Sequence, residues 1–323
     1  MNDAPSIKRG GVLRGKIAQV TLVGLLMVAF GTALWRTMQS RVSDPVFDGK
    51  PLSAWLRSYF DYDGMWPREP LNGRKKQVDA AIRQIGTNSL PLLLSMLTAK
   101  DSRLKARLIK VMREQRWVKK IHITGAEELG ATASLGFRAL DPAAKKQAIP
   151  ALSQMLMDPA TSQVASGCLS DIGTDAIPLL AAALTNGQAS IRADAVSGFR
   201  EIKPTDREVI SLLINQLKDT DPLVRGYAAE AFRVLEVFDE QSQAVVLGLI
   251  QLLDDTNDFP RRMAAESLRQ FRDKARPAIP KLLAALKDRN QQVHKNAAVS
   301  LWLIDPEVAA KAGIDVFKDK YGE

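Results

Sequence analysis

The chain has 323 residues, 46% apolar and 6% aromatic, with a formal net charge of +9. That length fits two compact domains or one long array, and the scarcity of alternating β-branched and aromatic runs argues against a sheet-based fold. The charge is held unevenly, +5 in residues 1–43, +7 in 100–120 and −3 over the rest, which excludes a continuous basic face, so nucleic-acid binding is not expected.

Residues 1–16 form a basic tail carrying Lys8, Arg9, Arg14 and Lys16. Ile17 to Trp35 is a run of 19 residues without a charge. As a helix rising about 1.5 Å per residue it reaches roughly the thickness of a hydrocarbon core, so residues 17–35 read as a single transmembrane anchor. A cleavable signal peptide is the competing reading, with Ala29-Phe30-Gly31 as its cleavage site, although the apolar run is longer than such segments usually are. No Cys follows the run closely enough for a lipoprotein. Four basic residues precede the run, and Arg36, Arg41 and Lys50 follow it. This slight positive-inside bias places the tail in the cytoplasm and the remainder on the periplasmic side of a bacterial inner membrane. The one cysteine, Cys168, excludes an intramolecular disulfide and a cysteine-based metal site and leaves the compartment open.

Residues 36–73 read as a linker with a turn at Asp48-Gly49, then an aromatic segment holding Phe47, Trp55, Tyr59, Phe60, Tyr62 and Trp66. Two readings fit it: an end cap over the first repeat's apolar face, and a partner-binding patch built on Trp55, Tyr59 and Trp66.

From about Arg74 to the end, residues 74–323, one phrase recurs: Ile-Pro-x-Leu-x-x-x-Leu-x-Asp. Its first residue falls at Leu90, Ile149, Ile177, Ile210, Val246 and Ile279, at intervals of 59, 28, 33, 36 and 33 residues. A period near 30 with helical spacing means stacked helical hairpins. The first helix of each pair carries small residues, as in Ala228-Ala229, Ala264-Ala265 and Ala297-Ala298. The second carries the phrase, with Pro in its first turn where a missing N–H costs little. Asp-Pro pairs at Asp141, Asp158, Asp221 and Asp305 predict helix starts. The expected fold is all-α: a right-handed solenoid of six to seven hairpins after one transmembrane helix.

Between repeats an Asp precedes a basic residue by six positions: Asp219 with Arg225, Asp255 with Arg261, Asp288 with His294, and Asn186 with Arg192 as a variant. At fixed register such pairs predict a structural ladder, each rung worth about 1–3 kcal/mol where buried.

The Ala-Ile-Pro-x-Leu phrase, the Val-Arg-x-x-Ala-Ala run at Val224 to Ala229 and the Asp–Arg spacing resemble HEAT repeats, with the short period of the phycobilisome-lyase subclass. The resemblance covers about residues 74–305. It implies a scaffold or binding surface. The segment VFDGKPLSAWL at 46–56, after an apolar run, also resembles membrane-anchored HEAT-repeat proteins of Verrucomicrobia, which implies lineage and no activity.

Residues 102–118 depart from the pattern. Leu104, Leu108, Val111 and Met112 trace one face of a helix, and Arg103, Lys105, Arg107, Lys110, Arg113 and Arg116 fill the rest. A solvated outer helix and a surface for anionic lipid or an acidic partner both fit. Catalytic chemistry finds little support. His294 stands where neighbouring repeats have Arg, His122 falls in a predicted loop, and Cys168 sits at a packing position. No phosphate loop or nucleophile elbow occurs, and neither catalytic residues, metal nor cofactor are expected.

The expectation is a non-catalytic membrane-anchored scaffold binding an unidentified protein. A lyase-like or ligand-handling protein that uses the groove for a prosthetic group is the alternative. The oligomeric state stays open. A reporter active only outside the cytoplasm, fused after Glu323, is expected to be active, and activity of a cytoplasm-only reporter there would reverse the topology.

Overall fold

The computed structural model describes residues 42–59, 72–114 and 124–314. The basic tail, the apolar run 17–35, Trp66, Arg116 and His122 lie outside the described residues. Among the described residues no helix is long and apolar enough to cross a membrane.

The regular structure among the described residues is helical apart from one antiparallel hairpin of two-residue strands, β1 (Val46–Phe47) with β2 (Lys50–Pro51), in register Val46 to Pro51. Asp48 and Gly49 turn it with φ of 51° and 69°, left-handed values that match the twist of the flanking strands. The all-α expectation is corrected to that extent. Helix α1 (Leu52–Arg57) follows.

Two layers then build up. The first-helix layer is α2 (Asn72–Ile85), α5 (Ala126–Ala139), α8 (Ser162–Ile172), α10 (Ala189–Ile202), α12 (Pro222–Ala231), α14 (Asp258–Leu268) and α16 (Gln291–Ile304). The second-helix layer is α3 (Leu90–Leu97), α7 (Ile149–Leu156), α9 (Ile177–Ala183), α11 (Arg207–Gln216), α13 (Asp239–Leu252) and α15 (Ile279–Ala285). Helix α4 (Arg103–Glu114), helix α6 (Pro142–Gln147) and helix α17 (Pro306–Lys311) stand outside this alternation. Consecutive first helices pack on one another from α5 through α16. The described residues thus form six hairpins and a closing helix, a mostly helical repeat solenoid.

The repeated phrase has a direct physical reading. Its fourth residue is Leu93, Leu152, Leu180, Leu213, Leu249 and Leu282, and every one has no exposed surface. The first helices answer with Phe137, Leu169, Phe199, Phe232, Leu268 and Leu301, equally buried. These two rows face each other in one apolar core that runs from Leu52 to Ala309. Pro91, Pro150, Pro178 and Pro280 sit in the first turns of α3, α7, α9 and α15, as their missing N–H requires. Asp141, Asp221 and Asp305 cap α6, α12 and α17 through their carboxylates. Asp158 does not start a helix. It accepts from Ala160 N in a turn, and α8 begins four residues later.

Glycines let the layers close. A Cβ at Gly198 would lie 2.7 Å from Ser166 Oγ and 2.9 Å from Leu180 Cδ1, and one at Gly136 would lie 2.8 Å from Leu93 and 2.9 Å from Leu56. Gly167, on α8, meets nothing within 4 Å. Gly198→Val should therefore cost about 1–3 kcal/mol by overpacking, while Gly167→Ala should gain about 0.5–1 kcal/mol of helix propensity. Denaturant melts of the two variants check the opposite signs.

Candidate interaction surface

The edge where each second helix returns to the next first helix is a row of rungs. Arg192 donates through Nε and Nη2 to both carboxylate oxygens of Asp219, at 2.7 and 2.6 Å. Arg225 does the same to Asp255, at 2.7 and 2.9 Å, and Arg261 to Asp288, at 2.7 and 3.0 Å. Each arginine also gives Nη1 to the backbone carbonyl six residues earlier, Asn186, Asp219 and Asp255 in turn. The expected pairing is corrected accordingly. The six-residue spacing is a bond to a carbonyl, and the carboxylate partner belongs to the following repeat, 27 or 30 residues on. His294 makes no rung. Its Nδ1 lies 2.5 Å from Leu286 O, and Asp288 is held by Arg261 instead.

Each rung carboxylate also caps the turn below it. Asp219, Asp255 and Asp288 accept from the backbone N–H two residues on, and Asp221, Asn257 and Asn290 at those positions cap α12, α14 and α16. The full motif is Asp-x-Asx-x-x-x-Arg, and the Asx element was missed at Asn257 and Asn290. Burial pushes the carboxyls of Asp219 and Asp255 up, but the arginine and backbone hydrogen bonds bring both net below the ordinary range. At Asp288 the Arg261 hydrogen bond is the largest influence and again lowers the carboxyl.

A second run of charges, also missed, crosses the far ends of three first helices. Arg200 meets Glu230 at 2.9 Å, Arg233 lies 3.7 Å from Glu230 and 3.8 Å from Glu266, and Arg269 meets Glu266 at 3.0 Å. The sequence signal was a repeated Glu-x-x-Arg at 230–233 and 266–269.

Within the aromatic segment, the described Trp55 and Tyr59 sit at the end of the stack. Tyr59 is 7% exposed and donates to Asp79 Oδ1 at 2.6 Å. Burial and that hydrogen bond push its phenol far up. Trp55 is half-buried, gives its indole N–H to Phe47 O and lies under Lys50 Nζ, 4.2 Å from the ring centre. Tyr59 is therefore not part of an exposed patch, and Trp55 is committed to the hairpin. Helix α4 keeps Arg103, Arg107 and Lys110 exposed. Lys105 is half-buried and pairs with Asp101 at 2.5 Å. Leu104, at the edge of the apolar face, is 67% exposed. The Arg113 side chain lies outside the described residues.

Among the described residues no group of three or more His, Cys, Asp or Glu side chains gathers to hold a metal. Cys168 is buried, and burial first and Asp171 second push its thiol up to about 12, so it carries no thiolate at neutral pH.

The second-helix layer differs in chemistry. Helices α3, α7 and α9 contain no charged residue, and α3, α7, α9, α11, α13 and α15 contain no aromatic. Solvent meets Gln154, Met157, Ala182 and Thr185, with Ser95 and Ser153 half-buried. Charges resume on α11 with the exposed Arg207 and Glu208.

Residues 210–302 match the family model for HEAT repeats. The chain carries HEAT repeats over those residues. No curated protein matches it. Solved structures that align with this HEAT-repeat chain include the complex of CpcE and CpcF of phycocyanin lyase from Nostoc sp. PCC7120, at 23% identity over 48% of this chain and 98% of that one, with a TM-score of 0.41. An engineered protein aligns at 18% identity over 81% and 82% of the two chains, TM-score 0.39. A designed armadillo repeat protein in complex with the peptide (KR)4 aligns at 17% identity over 67% and 99%, TM-score 0.40. At these TM-scores none bears on what the HEAT-repeat chain binds.

The rungs set a pH dependence. A carboxyl lowered in the folded chain binds fewer protons there than in the unfolded chain, so its stabilisation is complete above the unfolded value near 3.8 and is lost as pH falls through the folded one. Asp255→Asn leaves Arg225 without its bidentate partner and should cost about 2 kcal/mol at neutral pH. Urea melts from neutral to acid pH should show the wild-type advantage shrinking below about pH 4.

Proposed function

We propose that this HEAT-repeat solenoid is a membrane-anchored, non-catalytic scaffold that docks a protein on its second-helix face. The observation that carries the reading is the charge-free surface of α3, α7 and α9 in a chain whose charged residues are 25%. Interface centres are depleted of charge, because every buried ion must be desolvated and paired. Small and polar side chains such as Ser153, Gln154, Ala182 and Thr185 give a surface that stays soluble alone and costs little to dry. The anchor is the apolar run Ile17–Trp35, with the solenoid on the periplasmic side of an inner membrane.

The ligand-handling alternative needs aligned aromatics around a carboxylate, and the second helices hold no aromatic among the described residues. It is not carried further. A nucleic-acid role needs a basic stripe continuing from α4, whereas the stack's arginines at 192, 225 and 261 are tied to carboxylates.

A photocrosslinking residue at Gln154 or at Ala182, in the full chain in native membranes, should give one discrete protein adduct shared by both positions. The same residue at Lys295, exposed on α16, should not give it. Absence of a common adduct from the two second-helix positions would refute the docking face.

A further inference from the structure

Most arginines of this stack are consumed by carboxylates. Arg103, Arg107 and Lys110 on α4 are exposed and form no ion pair among the described residues. On a helix turning about 100° per residue these three fall within a sector of about 60°, and like charges at such spacings repel. Exposed Leu104 borders the same sector. The half-buried side holds Lys105, Leu108 and Ile109 instead. In water such an arc of cations repels itself only weakly. It matches an interface in which cations meet phosphates and the leucine enters the acyl boundary.

Position supports the same occupant. Asp101, beside the start of α4, accepts from Ala126 N at the start of α5 at 2.8 Å. Ile109 of α4 borders Gly125, while Leu56 of the cap borders Gly136 on the same helix. Eleven residues of helix separate the two contacts, about 17 Å. The seven residues 36–42 between the apolar run and the described cap span at most about 24 Å. Helix α4 is thus joined, through α5 and the cap, to the end of the stack that directly follows the apolar run.

We infer that α4 lies on the anionic lipid surface beside the anchor, with Arg103, Arg107 and Lys110 against headgroup phosphates and Leu104 at the acyl boundary. This rests on the anchor reading. Such contact fixes the tilt of the solenoid's first repeats against the membrane.

The test uses the full chain with Ala106→Cys, an exposed site about 40° from Lys110 at the edge of that sector, labelled with an environment-sensitive dye; buried Cys168 stays unlabelled. The chain is reconstituted in vesicles of phosphatidylcholine alone or mixed with phosphatidylglycerol, each with a headgroup-level nitroxide lipid. Quenching should be several-fold stronger in the mixed vesicles. It should be lost with R103E/R107E/K110E and at about 1 M salt, where screening reaches about 3 Å. The melting curve of that variant should match the parent, because the three side chains are exposed and unpaired. Equal quenching in both vesicle types, or quenching that survives the charge reversal, overturns the proposal. No quenching in either, the result expected of a surface for an acidic protein, overturns it too. Carbonate extraction of the same vesicles reports the anchor separately: a chain that extracts removes the anchor, while quenching before extraction still decides the helix.

Discussion

No hairpin of this chain can bury its own leucine. Leu152, Leu180, Leu213, Leu249 and Leu282 reach zero exposure in one core shared with Phe137, Leu169, Phe199, Phe232, Leu268 and Leu301, and the first helices in turn pack on one another. The core is therefore a relay in which neighbours complete neighbours. Two consequences follow. The phrase must recur at helical register, since a one-residue slip would turn the fourth-position leucine away from the core. And each end of the relay must be closed by something that is not a repeat. At the start, Leu52, Leu56 and Tyr59 do this, with Tyr59 pinned to Asp79. At the finish α17 brings Ala309 inward, and Asp305 both caps it and accepts from Arg276 at 2.5 Å.

The rungs act on a different property. Apolar burial drives hairpins together and tolerates some sliding, because it has no direction. A bidentate guanidinium that also holds a carbonyl of its own repeat tolerates almost none. Arg225 touches Asp219 O behind it and Asp255 ahead of it, so it fixes the angle between two repeats. Partly buried ion pairs have a large desolvation cost against them and often add little net stability. Their periodic placement here is better understood as setting register. That Arg192, Arg225 and Arg261 are only 13%, 17% and 8% exposed makes an unpaired state costly, which is what lets the pairs discriminate.

The repeat was legible in the sequence because a fully buried leucine demands fixed spacing, and spacing is what a sequence shows directly. The prolines of α3, α7, α9 and α15 and the caps at Asp141, Asp221 and Asp305 were legible for the same reason, being local. The ladder residues were visible but their partners were not. Asp219 and Arg225 lie close in sequence, yet the packing of repeats places Asp219 under Arg192. Glu230 with Arg233 looked like an ordinary helix pair, and only stacking joins it to Arg200 and Glu266. The apolar face of α4 was legible, but not how deep it sits: α4 half-buries Leu108 and Ile109 and leaves Leu104 outside. Tyr59 belonged to the cap for a reason sequence could not give, a carboxylate 20 residues away.

What the stack consumes also says where recognition is left to act. Charges on the returning edge and at the far ends of the first helices satisfy one another, so they offer a partner little net field beyond a Debye length of about 8–10 Å. The surfaces with uncommitted chemistry are of two kinds. The second-helix face is uncharged along α3, α7 and α9, with side chains that dry at small cost and no fixed charge on those helices to steer an approach. The exposed sector of α4 is cationic, and its Arg103, Arg107 and Lys110 form no ion pair among the described residues. A neutral docking face gains little from long-range attraction, so its association rate depends on being held in the right orientation. A solenoid fixed at its first repeats by a cationic helix on a charged bilayer would have that orientation supplied. On the proposed reading the two departures from the repeat serve one end: α4 and the anchor would set the attitude of the stack, and the charge-free helices would do the binding.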